Sequence, residues 1–421
     1  MLAIVMAKPM EGVAVVTLID RPLYMRRIEP LVDAPVVKVL TGLRRSGKSG
    51  LLALTADLLR NRGVSEQRIV FLNFDELENA PLASAAVLDA HIRATTPPDG
   101  RIYVLLDEVQ EVDQWERLVN SLQASGRADV YITGSNARLL SGELATYIAG
   151  RYVTLTVQTL SFAEYLSFVA TYTDRDTSRT SEEFARYLRL GGFPATHVMP
   201  FAEPEVRAMV GDIYRSTLIR DVLSRHEIRD TDMFERVAAF ALDNVGNLFS
   251  ARRVADFMKS EHRAVNHQTV LNYLTALAEA FVLTRVRRFD VRGRRLLASD
   301  EKLFVGDHGL VHALFGYNDQ RLPGVLENIV WAELVRRGYD VTIGKVGAQE
   351  IDFVATTGDE RLYVQVTTSL TASDQTRRRE VDPLLAVRDA YPKMVLSMDT
   401  LAGGSVDGVR HVWLPQWLLA G

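Results

Sequence analysis

Apolar and polar positions alternate in blocks along the first 160 residues. Five short apolar runs have the length of buried strands, and helical spacing or a turn follows each of them. These runs cover residues 36–40, 69–72, 101–108, 130–133 and 152–157. Strands that alternate with helices predict a parallel sheet covered on both faces, so we expect a three-layer αβα core over residues 1–160.

The rest of the chain divides into three stretches of different pattern. Residues 161–230 have helical spacing with one break, at 191–194, and predict a helical lid. Within 231–318, a helix opened by a Ser250 cap and a second helix precede two strands with a turn at 290–295. That order predicts a winged helix-turn-helix. Residues 319–421 predict a further α/β domain, with a helix followed by strands.

A phosphate-binding motif lies between the first predicted strand and the first helix. The sequence Gly-Leu-Arg-Arg-Ser-Gly-Lys-Ser at 42–49 fits G-x-x-x-x-G-K-[ST]. Its glycines let backbone N–H groups approach phosphate oxygens, its lysine reaches the β and γ phosphates, and its serine hydroxyl ligates Mg²⁺. The predicted nucleotide-binding residues are Gly42, Leu43, Arg44, Arg45, Ser46, Gly47, Lys48, Ser49 and Gly50.

Polar residues end two other predicted strands. Asp107 and Glu108 end the strand at 101–108, where Asp107 is expected to hold Mg²⁺ and Glu108 to orient or deprotonate the attacking water. Alternatively, Glu108 only caps the next helix, since a carboxylate is favoured in a first helical turn. Ser135 and Asn136 follow the strand at 130–133 and are expected to hydrogen-bond a γ phosphate, unless they form a simple turn.

The order of these motifs resembles that of prokaryotic AAA+-like P-loop ATPases with a C-terminal domain of unknown function. The resemblance covers nearly the whole chain. Besides the glycine loop, it rests on Leu-Asp-Glu-Val-Gln at 106–110, Thr-Gly-Ser-Asn at 133–136, Gly-Arg at 150–151, Leu-Ser-Phe-Ala-Glu-Tyr-Leu at 160–166 and Gly-Gly-Phe-Pro at 191–194. It implies an ATPase that uses ATP and Mg²⁺ and has the strand order of the additional-strand, catalytic-glutamate class.

The resemblance also implies roles for two later residues. Asn136, or its neighbour Ser135, is in the sensor position. Arg151 matches the Gly-Arg motif, and an arginine near this point can act as a finger on a neighbour's nucleotide, which implies a homo-oligomer. The alternative for Arg151 is a local pair with a carboxylate.

Positive charge is concentrated in the predicted hairpin of the winged helix. Six of the eleven residues at 285–295 are arginines, namely Arg285, Arg287, Arg288, Arg292, Arg294 and Arg295. His267, Gln268 and Asn272 lie toward the start of the second helix, where a recognition helix meets base edges or phosphates. DNA is therefore a candidate partner. The alternatives are a protein-contact module and a solvated strand edge.

The C-terminal domain resembles the restriction-endonuclease-like core. In an active member, a helix glutamate, a strand aspartate and a following Glu-x-Lys gather Mg²⁺ and a water. Glu327 and Asp352 match the first two, but the last triplet here is Gln365-Val366-Thr367. Glutamine removes a metal-binding charge and threonine removes the cation, so we expect the fold without nuclease activity, and weak metal binding by Glu327 and Asp352 stays open.

Composition limits the remaining classes. The 421 residues contain no cysteine, which excludes disulfides and thiolate sites and is typical of a reducing, cytoplasmic compartment. The net charge of -4 means that any DNA binding must come from a local patch. We find neither an apolar run long enough to span a membrane nor a signal peptide, so no membrane partner is expected.

These observations predict a Mg-dependent ATPase that couples hydrolysis to movement of a C-terminal DNA- or protein-binding module. Lys48, Glu108 and Arg151 are the predicted catalytic residues, and Ser49 and Asp107 are the predicted metal ligands. One form of this function is a DNA-processing motor in an oligomeric ring. The alternative is a slow ATP-gated scaffold or regulator that binds a protein and has no nucleic-acid activity.

Overall fold

The computed structural model describes residues 18–137, 150–198, 201–263 and 265–420, and a five-stranded parallel sheet forms their N-terminal part. In chain order its strands are β1 (Val37–Thr41), β2 (Ile69–Asn73), β3 (Ile102–Asp107), β4 (Ala128–Gly134) and β5 (Tyr152–Thr156). The order across the sheet is β2-β3-β4-β1-β5, so β4 lies between β1 and β3. This is the strand order that the resemblance implied.

Helices cover both faces of this sheet. They are α1 (Pro22–Ile28), α2 (Lys48–Asn61), α3 (Ala85–Thr95) and α4 (Trp115–Ala124). Because neighbouring residues of a strand face opposite sides, Val39 packs with α3 and α4 while Leu40 packs with α1 and α2. The predicted three-layer core is therefore confirmed.

In the described part of residues 161–230, three α-helices and a π-helical turn form most of the predicted helical segment. The helices are α5 (Phe162–Tyr172), α6 (Thr180–Leu190) and α7 (Glu203–Thr217), and the π-helical turn Leu218–Leu223 continues α7. A reciprocal cap starts α5, since the Ser161 hydroxyl accepts from the Glu164 N–H at 3.1 Å while the Glu164 carboxylate accepts from the Ser161 N–H at 2.8 Å.

The next segment contains the two predicted short helices and the predicted hairpin. Its elements are α8 (Thr231–Asp243), β6 (Leu248–Phe249), α9 (Ala251–Ser260), α10 (His267–Glu279), β7 (Leu283–Asp290), β8 (Arg295–Val305) and α11 (Gly309–Phe315). The Ser250 hydroxyl accepts from the Arg253 N–H at 3.2 Å, which is the cap expected at the start of α9.

The C-terminal region has the helix and the three strands that the sequence predicted, followed by further elements. They are α12 (Leu322–Arg336), β9 (Asp340–Val346), β10 (Gln349–Thr357), β11 (Glu360–Thr367), α13 (Asp374–Leu385), β12 (Lys393–Ser397), β13 (Ser405–Val406), β14 (Val409–Trp413) and α14 (Leu414–Leu419). None of the helices in the described ranges is both long and apolar enough to cross a membrane.

One sheet crosses the boundary that we predicted at residue 318. Its nine strands run in the order β13-β14-β12-β11-β10-β9-β7-β8-β6, and β7 pairs in parallel with β9 from Arg288 to Asp290. The hairpin is thus not a free wing, because β9 satisfies hydrogen-bonding groups that an exposed edge would leave unpaired. A single apolar cluster also continues from α5 through α10 to α14, so these regions share a core.

Candidate active site

The glycine loop leads from the carboxyl end of β1 into the first turn of α2. Gly42 has φ +146°, and a Cβ there would lie 2.3 Å from the carbonyl oxygen of Val157. Gly47 has φ +97° immediately before the helix begins at Lys48. Both positions therefore need glycine, and the loop presents a helix N-terminus, where the dipole favours an anion.

The ammonium of Lys48 is held by the loop itself. The side chain is 4% exposed, and its Nζ donates to the carbonyl oxygens of Gly42 and Leu43, each at 3.1 Å. Carbonyls are neutral acceptors, so the charge of Lys48 is solvated but not neutralised by these contacts. Phosphate oxygens at the loop would provide stronger, charged acceptors for the same ammonium.

Ser49 and Asp107 are brought together although 58 positions separate them in the sequence. Asp107 ends β3 and is 1% exposed, and the Thr133 hydroxyl of β4 donates to its Oδ1. Burial raises the pKa of Asp107, while hydrogen bonds from Ser49 and Thr133 oppose that shift. A hydroxyl and a carboxylate are oxygen ligands of the kind that Mg²⁺ takes together with substrate phosphates.

The hydroxyl oxygen of Ser46, in the glycine loop, is buried and available to a ligand. Among the described residues, the Ser46 hydroxyl is one of the buried oxygens that have no hydrogen-bond partner. A buried unpaired group costs free energy, roughly 1–3 kcal/mol, unless a ligand or water satisfies it.

The two arginines of the loop differ in their surroundings. The Arg44 guanidinium lies 3.7 Å from the Asp75 carboxylate, and the backbone of Arg45 has φ +66°.

Glu108 has an unusual backbone. Its φ is +53°, a conformation that costs a non-glycine residue about 1 kcal/mol, and its N–H donates to the Thr133 hydroxyl at 2.9 Å. The carboxylate accepts from Gln110 Nε2 at 2.5 Å and makes no capping hydrogen bond to the turn that follows. Glu108 immediately precedes the helical turn Val109–Glu111, so favourable placement of its charge at the start of that turn stays an alternative. Strain at such a residue is typical of functional sites.

Ser135 and Asn136 are fully buried and contact the helical segment at 161–230. The Ser135 hydroxyl donates to Asp221 Oδ1 at 2.9 Å, and Asn136 Nδ2 donates to the Asp221 carbonyl at 3.3 Å. Asp221 lies in the π-helical turn after α7, and burial raises its pKa, opposed by Ser135 and the charges of Arg44 and Arg225. The sequence did not indicate Asp221, because a π-helical turn leaves no mark in apolar spacing.

Arg151 lies at the amino end of β5, opposite the end of the sheet that holds the glycine loop. β5 runs parallel to β1, with Tyr152 opposite Val37, and the Arg151 carbonyl accepts from the Val37 N–H at 2.9 Å. The glycine loop follows the far end of β1, about 16 Å away at about 3.3 Å per residue. This register excludes a contact between Arg151 and a nucleotide in its own glycine loop.

A buried ionic network connects the loop to the C-terminal region. Arg21, at 3% exposure, donates to the Ser46 carbonyl at 3.1 Å and to Glu164 of α5 at 2.9 Å. Arg336 of α12 lies 3.9 Å from the same Glu164 and pairs with Glu333. These residues are far apart in the sequence, and isolated charges in amphipathic stretches gave no signal for them.

The C-terminal carboxylates also come together, but around a cation that we did not predict. Lys302 of β8 is 4% exposed, and its Nζ lies 2.8 Å from Glu327, 2.9 Å from Glu350 and 3.3 Å from Asp352. The prediction that the cation is missing was therefore wrong: Thr367 carries none, but Lys302 supplies one from another strand.

Hydrogen bonds position the side chains of this cluster, and burial and nearby charges shift their pKa values. Gln365 Oε1 accepts from the Asp352 N–H at 2.6 Å, and its Nε2 donates to Glu380 at 3.2 Å. Burial, with the charge of Asp352, raises the pKa of Glu327 to about 8. Burial alone would lower the pKa of Lys302, but the surrounding carboxylates outweigh it and raise that pKa.

Comparisons with known proteins agree with the N-terminal fold. A family model described as an AAA domain matches residues 35–166, and a model of a domain of unknown function matches 181–321. An uncharacterized protein of Haemophilus influenzae is 35% identical over 96% of this chain and 99% of its own length. An uncharacterized protein of Methanocaldococcus jannaschii is 25% identical over 84% of this chain and 79% of its own length.

Solved structures show more distant similarity. A Walker-type ATPase of Pyrococcus abyssi is 15% identical, with a TM-score of 0.43, over 70% of this chain and 95% of that one. Cdc6p of Pyrobaculum aerophilum is 12% identical, with a TM-score of 0.28, over 75% and 96%. On the AAA-domain match and the Haemophilus relative, the chain belongs to a family of AAA-domain proteins built on a P-loop, AAA+-like ATPase core.

Proposed function

We propose that this protein binds Mg-ATP at the glycine loop and hydrolyses it. The observation that supports this most is the convergence of Lys48, Ser49, Asp107 and Glu108 at the carboxyl ends of β1 and β3. The N–H groups of residues 42–50 and the Lys48 ammonium hold the phosphates. Ser49 and Asp107 hold Mg²⁺, which neutralises charge on the phosphates when bound.

Glu108 then accepts the proton of the attacking water. Its constrained backbone fixes the direction of the carboxylate, and Gln110 holds one of its oxygens. Asn136 is proposed to contact the γ phosphate after releasing the Asp221 carbonyl. That exchange would connect the state of the phosphate to the π-helical turn of the lid.

A Mg²⁺ titration of ATP turnover tests the site. Asp107→Asn should shift the Mg²⁺ dependence to much higher concentration, because the carboxylate ligand is lost. Asp113→Asn, an exposed aspartate near the same strand end, should leave the dependence unchanged. Equal Mg²⁺ dependence of wild type and Asp107→Asn would remove Asp107 from the metal site.

Coupling to the C-terminal region is supported by the buried network. Arg21 contacts both the loop carbonyl of Ser46 and Glu164, and Arg336 brings α12 to the same carboxylate. A shift of the loop on phosphate binding changes the geometry of these bonds. Movement of the loop is thereby transmitted toward the C-terminal sheet through hydrogen bonds and ion pairs.

Nucleic acid is the partner that the hairpin surface favours. A cavity of about 910 Å³ is lined by Arg252 of α9, His267 of α10 and Arg287 of β7. Two of the predicted arginines are compensated locally, since Arg285 pairs with Glu301 at 2.6 Å and Arg288 lies 3.8 Å from Glu350. The basic surface is therefore smaller than the sequence indicated at this end of the hairpin.

The surface is larger at the hairpin tip. A cavity of about 720 Å³ lies between the tip arginines Arg292 and Arg294 and two arginines that we had not considered, Arg361 and Arg388. The guanidinium of Arg361 lies over the exposed Tyr391 ring at 5.5 Å. Arginines beside an exposed aromatic ring suit a phosphodiester strand, whose bases stack on aromatic faces.

Fluorescence anisotropy with labelled DNA and RNA across a salt series tests this partner. The double variant Arg292→Ala/Arg294→Ala should weaken binding and reduce the salt slope by about 1 per lost phosphate contact. Arg377→Ala/Arg378→Ala on the exposed face of α13 removes the same charge elsewhere and serves as the control. An absence of affinity at low salt would favour the ATP-gated scaffold with a protein partner.

Arg151 is proposed to act on the nucleotide of a neighbouring copy, since it lies at the amino end of β5 while its own glycine loop lies at the carboxyl end of the adjacent strand β1. A homo-oligomer formed with a non-hydrolysable ATP analogue should then be detectable by mass measurement. Mixing Arg151→Ala with Glu108→Gln should restore part of the turnover, because some interfaces regain both groups. No recovery in a mixture that forms oligomers would remove Arg151 from catalysis.

A further inference from the structure

The C-terminal carboxylate cluster is organised around Lys302. The ammonium lies within 3.3 Å of Glu327, Glu350 and Asp352, which come from α12 and from β10, and the lysine itself comes from β8. Asp352 is held from the other side by the N–H of Val366, at 2.9 Å. A single positive group thus joins three acidic side chains from two different elements.

Both polar atoms of the Gln365 side chain are also hydrogen-bonded within this cluster. Its oxygen is occupied by the Asp352 N–H and its nitrogen by Glu380, a carboxylate that is 4% exposed. A glutamate at this position could accept from the N–H but would face Glu380 with a second negative charge. The neutral amide is therefore the side chain that fits between a backbone donor and a buried carboxylate.

A divalent ion does not fit among these groups. Mg²⁺ requires oxygen ligands at about 2.0–2.1 Å in near-octahedral geometry, and the centre of the carboxylates is filled by the Lys302 ammonium. Across the described ranges of the chain, no group of three or more His, Cys, Asp or Glu side chains is arranged to hold a metal ion.

We infer that this cluster is a metal-independent centre in which the Lys302 ammonium takes the place of a divalent cation. The centre fastens strand β8 of the hairpin to α12 and β10 of the nuclease-like fold. It thereby adds an ionic connection to the sheet continuity through β7 and β9. The substitution of Lys302 for a metal explains why the cluster retains Glu327 and Asp352 although Gln365 and Thr367 stand where an active nuclease has its last two groups.

Mn²⁺ titration followed by electron paramagnetic resonance tests this inference on the full chain without nucleotide. Wild type and Asp352→Asn should bind the same number of Mn²⁺ ions, since any weak site at the glycine loop is common to both. One further Mn²⁺ in wild type that Asp352→Asn lacks would overturn the inference. This comparison uses variants that keep Lys302 and its folding role.

Removal of the ammonium gives the complementary test. Lys302→Met should melt several degrees lower than wild type and gain one Mn²⁺, with Mn²⁺ raising its melting temperature. Lys259→Met, an exposed lysine of α9, should change neither quantity. A folded Lys302→Met that gains no Mn²⁺ overturns the inference, and if this variant does not fold under any condition the comparison of wild type with Asp352→Asn decides.

Discussion

The two carboxylate clusters of this chain each contain a buried lysine, but the lysine is used differently. At the glycine loop, Lys48 is held by two neutral carbonyls, and Asp107 and Glu108 are held by Thr133 and Gln110. In the C-terminal cluster, Lys302 contacts its carboxylates directly. Positive and negative groups are kept apart in the first cluster and neutralise each other in the second.

The partners of each lysine determine whether its charge is available to a ligand. Neutral hydrogen-bonding partners position a charged group and leave most of its charge available to a ligand. A direct ion pair in a buried cluster makes that charge unavailable to a ligand, because breaking the pair leaves an uncompensated buried ion. Geometry around the lysine, rather than the number of acidic residues nearby, therefore distinguishes the glycine-loop cluster from the C-terminal cluster.

The largest expected effect is the difference in ATP turnover between a variant that lacks Lys48 and one that lacks Lys302. Lys48→Ala should lower turnover by about 10²- to 10³-fold or more and abolish detectable nucleotide binding, because the cation at the β and γ phosphates is lost. Lys302→Met should keep turnover within about twofold, since the ion pairs of Lys302 are made with Glu327, Glu350 and Asp352 and not with the glycine loop. Turnover and binding of a fluorescent ATP analogue measure both variants at a temperature where each is folded.

Equal losses of turnover in the two folded variants would contradict the proposed difference between Lys48 and Lys302. In that case the C-terminal cluster would contribute to hydrolysis, either directly or through the contact between Gly306, after β8, and Leu43 of the loop. Lys259→Ala provides the matched control for loss of an exposed lysine.

The next effect separates chemistry from binding within the first cluster. Glu108→Gln should bind ATP normally and hydrolyse it about 10²-fold more slowly, because an amide cannot accept the proton of the attacking water. Glu111→Gln, an exposed glutamate in the same turn, should behave as wild type. Unchanged turnover in Glu108→Gln would reassign the base.

How far the sequence predicted these clusters depends on where their members lie. The glycine loop is contiguous, so its residue types and flanking elements predicted its position at the end of β1. Asp107 and Glu108 followed from strand ends, because parallel strands open their carboxyl ends on one edge. Their local partners Thr133 and Gln110 lie within the same short motifs.

The remaining contacts depend on pairing between distant segments. Lys302 reaches Asp352 across 50 positions through a sheet that joins β7 to β9, and no local pattern predicts that register. The same limit explains why the sequence did not predict the pairing of the hairpin with β9 or the position of Arg151 relative to the glycine loop, since both follow from which strands are neighbours. The network of Arg21, Glu164 and Arg336 adds a third such case.

A smaller effect is expected where the two regions are connected. Arg336→Met should destabilise the protein by roughly 1–2 kcal/mol, because Glu333 and Glu164 each lose one buried cation but stay paired with Arg337 and Arg21. Chemical denaturation gives the free energy of unfolding. Arg377→Met on an exposed face controls for loss of an arginine, and a change below about 0.5 kcal/mol in Arg336→Met would show that the network has little effect on stability.

The last effect depends on pH and concerns the excess negative charge of the C-terminal cluster. Burial and Asp352 raise the pKa of Glu327 to about 8 from an ordinary value of 4.5. Between these two pH values the folded chain keeps a proton that the unfolded chain releases, so this group makes the wild type less stable as the pH rises. Gln at 327 cannot titrate, and its oxygen can still accept from Lys302.

Glu327→Gln should therefore match the wild type near pH 4 and become progressively more stable than it as the pH rises toward 8. Thermal melts across that pH range measure the difference, with Glu360→Gln at an exposed position as the control. A difference that stays constant with pH would mean that Glu327 is ionised throughout. The cluster would then hold three full negative charges around one ammonium, and the neutralisation that distinguishes it from the glycine-loop cluster would be incomplete.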